Sequence, residues 1–286
     1  MVDKEQQQGG WGRLELASRP VIEAGEVTTV ELRYVAGTRG LSTGGSLDIY
    51  TESDSDWARP QVADAAGEEY LKVSAPPNCA VSVQVPSPDQ RDLGGRSTAV
   101  ITVHLGEVRP GEEISIAIGD RSGGGSGLRS QTFYESKHYF YCRVNATGGR
   151  QTGEVEPVVL EIVGGDIESL SVIAPSDIEL GAPFALLLKA EDRWGNPAHH
   201  YRGTIQIGAP GLVLPEGEKV SFGDGDRGVR RIEGAVITEA GATSIEARDS
   251  EIGLVAVSNP VRILPTMPHQ RLYWGDPHSG QVADPT

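Results

Sequence analysis

Apolar and polar residues alternate along most of the chain, which is the pattern of β-strands that have one buried face. In the segment TTVELRYV, Val30, Leu32 and Tyr34 share one face of a predicted strand. Glu31 and Arg33 share the opposite face. The same alternation returns in AVSVQV, AVITVHL, EISIAI, VVLEIV, FALLLKAED, GTIQI and GATSIEARD.

The segments between these predicted strands consist of turn-forming residues, as in GTRGLSTGG, SAPPN, RPGEE and GDRSGGGSG. Helix-period sequence of any length is missing, and a parallel α/β fold needs a helix between its strands. The sequence therefore predicts an all-β fold. We expect two antiparallel, immunoglobulin-like β-sandwich domains followed by a short C-terminal tail.

The predicted strands divide at the Gly164-Gly165 pair, where EIVGG passes into the fresh strand of DIESLSVIAP. We predict a disordered N-terminus at 1–10, a β-sandwich at 11–163 and an immunoglobulin-like β-sandwich at 164–265. Within the second domain, LGAPFALLLKAEDRWGNPAHHYRGTIQI resembles bacterial immunoglobulin-like domains, in which a strand ending in Asp runs into a Gly-Asn-Pro turn. We predict that residues 266–286 form a linker and the first strand of a further domain.

Composition narrows the classes of partner. The chain has 286 residues, room for about two domains, and a net charge of −15 at a sequence pI near 4.8. Nucleic acids and anionic membranes attract basic surfaces, so neither is an expected partner. The sequence has neither a secretory signal nor an apolar run long enough to span a membrane, so we predict a soluble, cytoplasmic protein.

Two cysteines, Cys79 and Cys142, lie in strand-like sequence. Without an export signal we expect both thiols to be reduced and largely buried. A disulfide between them remains the alternative in an oxidising compartment.

A glycine-rich segment, GDRSGGGSGLRS at 119–130, is the first candidate for chemistry. A phosphate-binding P-loop needs Lys-Ser/Thr after its last glycine and a helix behind it, whereas Leu128 and Arg129 lead into strand-like sequence. We therefore predict a flexible surface loop in which Arg129 can contact an anionic neighbour.

Three polar clusters also have structural explanations that we prefer. His199 and His200 are adjacent, so on a strand they point to opposite faces and we predict surface histidines. FGDGDRG at 222–228 places Asp224 and Asp226 as in calcium loops but lacks the later Glu, which favours a tight hairpin turn. The acidic run TESDSDW at 51–57 is predicted to be a solvated loop.

The segment RLYWGDPHSGQ at 271–281 is unlike the rest of the chain. Asp276 and His278 are two residues apart at a predicted strand end, so they share a face. Both are ligand types for zinc or manganese ions. Spacing alone also fits a frayed terminus.

This segment resembles the first metal-binding motif of a family of uncharacterised metallohydrolases with a barrel of the polymerase-and-histidinol-phosphatase (PHP) type, related to the carbaryl-hydrolase group. VIEAGEVTTVELRYVAGTRGLSTGGSLDIY, SDWARPQ and GDRSGGGSGLRSQT resemble the leader region of that family, in the same order. The resemblance implies that His278, with Asp276, belongs to a partial site for a divalent metal of the zinc or manganese type. Pro277 and Gly280 depart from the motif.

The resemblance implies that this chain is the non-catalytic N-terminal β-sandwich portion of a metal-dependent hydrolase. It would dock on and shape a catalytic barrel that lies downstream in the same chain or in a separate subunit. The barrel would supply the remaining ligands, so we expect the chain alone to be inactive. The alternatives are a carbohydrate- or protein-binding module and a structural immunoglobulin-like spacer, and a homo-oligomer is compatible with each.

Overall fold

The structure, a computed structural model, describes residues 10–52, 55–87 and 96–267, with the backbone alone for 96–97. The chain divides into two compact units, Met1–Gly164 and Gly165–Thr286. Each unit encloses its own hydrophobic core. The boundary between the units falls within the Gly164-Gly165 pair.

The described part of the first unit is built from strands joined by turns. These strands are, in chain order, β1 (Arg13–Leu16), β2 (Val21–Glu23), β3 (Val27–Thr28), β4 (Val30–Val35), β5 (Leu41–Ser42), β6 (Ser46–Thr51), β7 (Leu71–Ser74), β8 (Cys79–Gln84), β9 (Arg96–Val108), β10 (Glu113–Ile118), β11 (Leu128–Arg129), β12 (Glu135–Asn145), β13 (Gly153–Glu154) and β14 (Val158–Val163).

Two sheets of the first unit pack face to face. One has the order β1-β4-β10-β7, and the other has the order β2-β14-β12-β6-β9-β5, with β8 also paired to β9 and β13 to β12. A short ribbon of β3 and β11 lies beside them. In β4 the alternation is confirmed, because Leu32 and Tyr34 are buried while Glu31 and Arg33 are exposed. Both sheets contribute to one core cluster.

The second unit contains β15 (Ser169–Ile173), β16 (Asp177–Glu179), β17 (Phe184–Glu191), β18 (Thr204–Gly208), β19 (Leu212–Val213), β20 (Lys219–Ser221), a 3-10 helix at Asp224–Asp226, β21 (Val229–Ile237), β22 (Gly241–Thr243), β23 (Glu246–Asp249), β24 (Leu254–Val257) and β25 (Val261–Leu264).

These strands have the arrangement of an immunoglobulin-like sandwich. The sheet β15-β17-β21-β19 corresponds to strands A, B, E and D of that fold. The sheets β20-β18-β23-β24 and β16-β25-β22 correspond to the facing C′, C, F and G strands with the second half of strand A. Strands β22 and β23 are two halves of F, and β24 and β25 are two halves of G. The predicted all-β, immunoglobulin-like fold is therefore confirmed.

The two units share one strand order. In the first unit β1, β4, β10 and β7 occupy the positions of A, B, E and D, and β14, β12, β6 and β9 occupy those of G, F, C and C′. In both units the strand in position D comes before the strand in position C′ along the chain. The same arrangement has thus formed twice, although the loops of the first unit are longer.

The predicted antiparallel pairing holds for the named strands except at two strand pairs. β2 runs parallel to β14, and β16 runs parallel to β25. In each unit the first strand crosses from one sheet to the other without reversing direction. Its second half therefore meets the last strand of the unit in parallel.

The structure leaves both thiols free. Cys142 points into the core from β12, and burial raises the pKa of its thiol. Cys79 is only half-buried, contrary to the expectation that both are largely buried. The reason is its position on β8, whose ladder partner among the described strands is β9 alone.

Candidate functional site

The predicted metal ligands Asp276 and His278 lie outside the described residues, as does the whole of RLYWGDPHSGQ. Among residues 10–52, 55–87 and 96–267, no three His, Cys, Asp or Glu side chains are placed to hold a metal ion. The metal site therefore stays a prediction.

Two segments that resemble the metallohydrolase leader, SDWARPQ at 55–61 and GDRSGGGSGLRSQT at 119–132, lie side by side. Ala58 N donates to the carbonyl oxygen of Arg129 at 3.0 Å, and Glu69 N donates to that of Gly127 at 2.9 Å. Arg129 Nη2 donates to the carbonyl oxygen of Asp56 at 2.9 Å. We call residues 55–70 and 119–135 together the loop platform.

Glycines allow the two halves of the loop platform to approach backbone to backbone. A Cβ on Gly123 would lie 2.0 Å from the carbonyl oxygen of Ala65, and one on Gly125 would lie 2.2 Å from that of Gly67. Such distances exclude any side chain. The glycine-rich segment is therefore packed against a second loop, which corrects the prediction of a flexible surface loop.

A buried polar network lies beneath the loop platform. Gln131 and His138 are fully buried. Gln131 Nε2 donates to Glu135 Oε2 at 2.9 Å, and Gln131 Oε1 accepts from Ser55 Oγ at 3.1 Å. His138 Nδ1 lies 2.7 Å from the same Glu135 oxygen. The network thus joins the two segments of the loop platform to strand β12.

A β-bulge places the network. The register of β12 against β14 shifts between Glu135 and His138, which lets Glu135 bond a side chain on its own strand. Neither residue was predicted from the sequence. The alternation in ESKHYFYC could have indicated the burial of His138, because His138 falls on the same inward face as Phe140 and Cys142.

Two buried polar atoms of the described chain have no hydrogen-bond partner, Trp57 Nε1 and His138 Nε2. The two rings have centroids 5.5 Å apart, and Phe140 packs edge-on against both. Because the imidazole is sealed from solvent, no substrate reaches it. The network therefore organises the loops and offers no general base to a substrate.

The acidic run at 51–57 is not a solvated loop in its described part. Thr51, Ser55 and Trp57 are buried, and the Trp57 ring packs into the core of the first unit. Asp56 is the exposed member, and its carboxylate forms an ion pair with Arg129 at 3.8 Å.

Two aromatic residues remain exposed on the loop platform, Phe133 and Tyr134. Asp56 holds the preceding residue, since its carboxylate accepts from Thr132 N and Thr132 Oγ1, both at 2.8 Å. Gln131 Nε2 donates to the carbonyl oxygen of Phe133 at 3.1 Å. The exposed aromatic pair is thus carried on a backbone held from both sides.

A second aromatic cluster lies on the outer face of the larger sheet of the first unit. Tyr50 and Tyr141 are cross-strand neighbours with ring centroids 5.0 Å apart, and Tyr139 stacks on Tyr141 at 5.8 Å. Arg143 covers Tyr50 at 5.3 Å. Desolvation and the neighbouring Glu154 carboxylate raise the pKa of Tyr50 to about 12. The ring faces are used within the stack, so it serves the sheet rather than a ligand.

In the second unit the Gly-Asn-Pro turn forms as the sequence predicts. Asp192 Oδ1 accepts from Trp194 N at 2.8 Å and from Asn196 N at 2.9 Å. Its other oxygen accepts from Gly165 N at 3.1 Å and from Asn196 Nδ2 at 3.0 Å. Gly195 has a φ of 82°, which glycine adopts without strain.

The prediction of two surface histidines is wrong for His199. His199 is buried and its Nδ1 lies 2.8 Å from the carbonyl oxygen of Pro197, whereas His200 is exposed. The two side chains were expected to point in opposite directions, and the direction in which His199 points leads into the protein interior.

The prediction of a hairpin at 222–228 is also wrong. The turn contains the 3-10 helix, but β20 before it pairs with β18 and β21 after it pairs with β17. The segment therefore crosses between sheets. Asp226 serves this crossing, because its Oδ2 accepts from Gly223 N at 2.7 Å and contacts Arg230 at 3.2 Å.

Within the described residues, no helix has the length and apolar character needed to cross a membrane. Neither a family model nor a curated protein matches the chain.

Several solved structures are similar to parts of this chain. The D00-D0 domain of intimin is 9% identical, at a TM-score of 0.31, with 88% of this chain and 98% of that chain covered. The D0-D1 domain of intimin is 7% identical, at a TM-score of 0.26, with 87% and 96% covered. A cohesin module from a Clostridium perfringens family 33 glycoside hydrolase is 8% identical, at a TM-score of 0.32, with 54% and 97% covered. Similarity at these TM-scores says nothing about function.

Proposed function

We propose that the chain is the non-catalytic β-sandwich portion of a metal-dependent hydrolase, docking on and shaping a catalytic barrel. The barrel would lie downstream in the same protein or in a separate subunit. Support comes from the resemblance of RLYWGDPHSGQ, which follows the second immunoglobulin-like unit in sequence, to the first metal-binding motif of PHP-like metallohydrolases.

The observation that carries the proposal is the loop platform. Two of its segments resemble the leader of that family, and about sixty residues separate them in sequence. In the fold they form one hydrogen-bonded surface with a buried polar network underneath. A spacer domain needs no such construction between its strands.

The loop platform suits a protein partner. Exposed aromatic residues dominate the binding energy of protein interfaces, and a backbone that is already ordered loses little entropy on binding. Phe133 and Tyr134 meet both conditions, because both are exposed, Asp56 accepts from the N–H of Thr132 just before them, and Gln131 donates to the carbonyl oxygen of Phe133. We assign these two aromatic side chains as contacts to the barrel.

The proposed metal belongs to the complete enzyme. His278 and Asp276 would contribute to its site, and a zinc- or manganese-type ion held there would activate a water molecule for hydrolysis. About three protein ligands are needed for such a site, so the barrel would supply the others. The residues described here would act by positioning the barrel.

The docking proposal is tested by adding the separately expressed barrel to this chain and measuring the dissociation constant by calorimetry. We expect binding in the micromolar range or tighter, and a loss of about tenfold or more for Phe133→Ala combined with Tyr134→Ala. Val213→Ala, at an exposed position of the second unit, is the matched control. Full binding by the double variant would refute the assignment of Phe133 and Tyr134 as contacts. If neither the parent chain nor the double variant binds the barrel, the docking itself is refuted.

Activity of the chain alone gives an independent check. We expect neither stoichiometric zinc or manganese nor esterase or phosphoesterase turnover, because two ligands hold such ions weakly. Metal bound at one equivalent, together with turnover that His278→Ala abolishes, would contradict the proposal.

Two further expectations, on the compartment and on nucleic acid as a partner, come from the sequence. The compartment would be the cytoplasm, and the net charge of −15 argues against nucleic acid as a partner. A carbohydrate- or protein-binding module and an immunoglobulin-like spacer are the alternatives, and the docking experiment separates both from the proposed role.

A further inference from the structure

The turn Arg193-Trp194-Gly195 of the second unit carries side chains that the fold does not require. Asp192, Gly195 and Asn196 account for the geometry of the turn through the hydrogen bonds described above. Trp194 contributes its backbone N–H alone to that network, which any residue except proline could do. Trp194 is 42% exposed, whereas Trp57 is buried in the core.

Arg193 stands beside this indole, with its guanidinium carbon 4.6 Å from the centroid of the Trp194 ring. Within the part of the chain that the structure describes, Arg193 has no carboxylate at ion-pair distance. Other arginines of the same unit do have such partners, namely Arg202, Arg230, Arg231, Arg248 and Arg262. A similar pair in the first unit, Arg39 over Trp11 at 4.2 Å, differs in two respects, because Arg39 also donates to Gln151 and Trp11 is only partly exposed.

The turn is also held in place. Lys189 Nζ donates to the carbonyl oxygen of Gly195 at 2.6 Å, and Gly195 N donates to that of Asp192 at 3.0 Å. Lys189 is itself paired with Glu191 at 2.9 Å, so Arg193 supplies the free positive charge of the turn. A ligand that contacts Arg193 and Trp194 meets a backbone that is already ordered.

We propose that Arg193 and Trp194 form a binding site for a uronic acid unit of an anionic polysaccharide. A uronate offers a flat C–H surface, which packs on an indole ring, and a carboxylate, which accepts two N–H bonds from a guanidinium. The positive charge of Arg193 selects an acidic sugar over a neutral one at this turn, since Arg193 has no internal carboxylate to release. The net charge of −15 repels long polyanions, so the site recognises one or two uronate units and not the length of the polymer.

The size of the site favours a sugar over an acidic protein. A tryptophan side chain buries about 150–250 Å² at most. Each partner in a stable protein complex buries about 800 Å². The three exposed residues of the turn therefore fit one or two sugar rings, and binding to a single turn will be weak. The site is independent of the docking proposed above, because it lies in the other unit.

The test is titration of the full chain with short oligogalacturonides, followed by calorimetry and by the indole N–H resonances of ¹⁵N-labelled protein. We expect the Trp194 resonance to shift and binding to weaken with added salt. Trp194→Ala and Arg193→Gln should each weaken binding about tenfold or more. Arg150→Gln, an exposed arginine without an ion pair among the described residues, should bind like the parent chain.

Trp194→Phe keeps an aromatic ring and guards against a folding defect, so it should bind better than Trp194→Ala. Three results would overturn the proposal. These are no binding of oligogalacturonides by the parent chain, equal binding of the neutral cellotetraose, and equal loss of binding in Arg150→Gln. Tight binding of oligoglutamate with none of oligogalacturonide would assign the turn to acidic peptides instead.

Discussion

Asp192 is a buried carboxylate whose two oxygens accept four hydrogen bonds from the turn and from Gly165. Replacing it with Ala leaves buried backbone donors without an acceptor, and each such donor costs about 1–3 kcal/mol. We expect Asp192→Ala to lower the free energy of unfolding of the second unit by about 3 kcal/mol or more. Urea unfolding monitored by fluorescence measures this loss.

Asp166→Ala is the matched control, because Asp166 is exposed in the same unit. Its effect should stay within about 0.5 kcal/mol. Equal stability losses in the two variants would show that the turn does not depend on the carboxylate of Asp192.

Cys142 and Tyr34 give the first unit a dependence on alkaline pH. Burial raises the pKa of Cys142 from its ordinary value of 9.0 and that of Tyr34 from 10.0. In the unfolded chain both groups ionise near those ordinary values, whereas in the folded chain they stay protonated. Above pH 9 the unfolded chain therefore binds fewer protons, and the free energy of unfolding falls as pH rises.

Urea midpoints measured between about pH 8 and pH 11 should decrease steadily for the parent chain. In Cys142→Ala the decrease should be shallower from pH 9 upward, and in Tyr34→Phe from pH 10 upward. Cys79→Ala should change the slope less, because Cys79 is half-buried. A midpoint that is independent of pH across this range would contradict the assignment.

At the residue scale the sequence predicts what depends on near neighbours. The Asp192 turn is predictable because all but one of its partners lie within five residues along the chain. His138 is not, because its partner Glu135 reaches it only through a bulge that the β12–β14 register creates. The alternation that puts His138 on the same strand face as Phe140 indicates that His138 is buried, but it does not indicate the contact with Glu135.

The pair Tyr50 and Tyr141 shows how neighbouring strands stabilise each other. The two residues are directly opposite on β6 and β12, and their rings stack with an angle of 14° between planes. Such cross-strand aromatic pairs contribute about 0.5–1.5 kcal/mol beyond the area that they bury. A double-mutant cycle of Tyr50→Ala and Tyr141→Ala should give a coupling energy in this range.

The matched cycle combines Tyr50→Ala with Val159→Ala, since Val159 pairs with the neighbouring Tyr139 and does not face Tyr50. Its coupling energy should be close to zero. Additive effects in the Tyr50–Tyr141 cycle would mean that the stack adds nothing to the sheet.

At the scale of elements, alternation predicts strands but not their partners. Each alternating segment quoted from the sequence lies wholly or mostly in one strand of the structure, except GATSIEARD, which is divided between β22 and β23. The turn at 222–228 was expected to join a hairpin, yet β20 and β21 belong to different sheets. A turn that joins a hairpin and a turn that crosses between sheets can have the same local residues. Which of the two forms depends on the core face that each flanking strand buries.

At the scale of the molecule, each unit has a core of its own and a strand order that it shares with the other. Leu32, Ile49 and Leu160 belong to the first core, and Leu188 and Ile263 belong to the second. Glycine pairs and a change of strand phase made the boundary predictable from sequence. The tail residues Asp276 and His278 lie outside the described residues, so their metal site stays a prediction.

Separate cores predict that the units fold independently when the chain is cut between Gly164 and Gly165. Such a cut keeps the bond from Ala24 N to the carbonyl oxygen of Val163 in one fragment and that from Gly165 N to Asp192 in the other. We expect fragments 1–164 and 165–267 each to unfold cooperatively, with the urea midpoints that the two units have in the full chain.

A fragment that begins at residue 167 tests the same boundary from the other side. It lacks the N–H of Gly165, so one oxygen of the buried Asp192 carboxylate loses a hydrogen-bond donor. Its free energy of unfolding should be about 1 kcal/mol lower than that of fragment 165–267, since a hydrogen bond to a charged group contributes that much or more. The two fragments are compared by urea unfolding under one set of conditions. Equal stability would mean that the Gly164-Gly165 pair is only a linker, whereas failure of fragment 165–267 to fold would mean that the second core depends on the first unit.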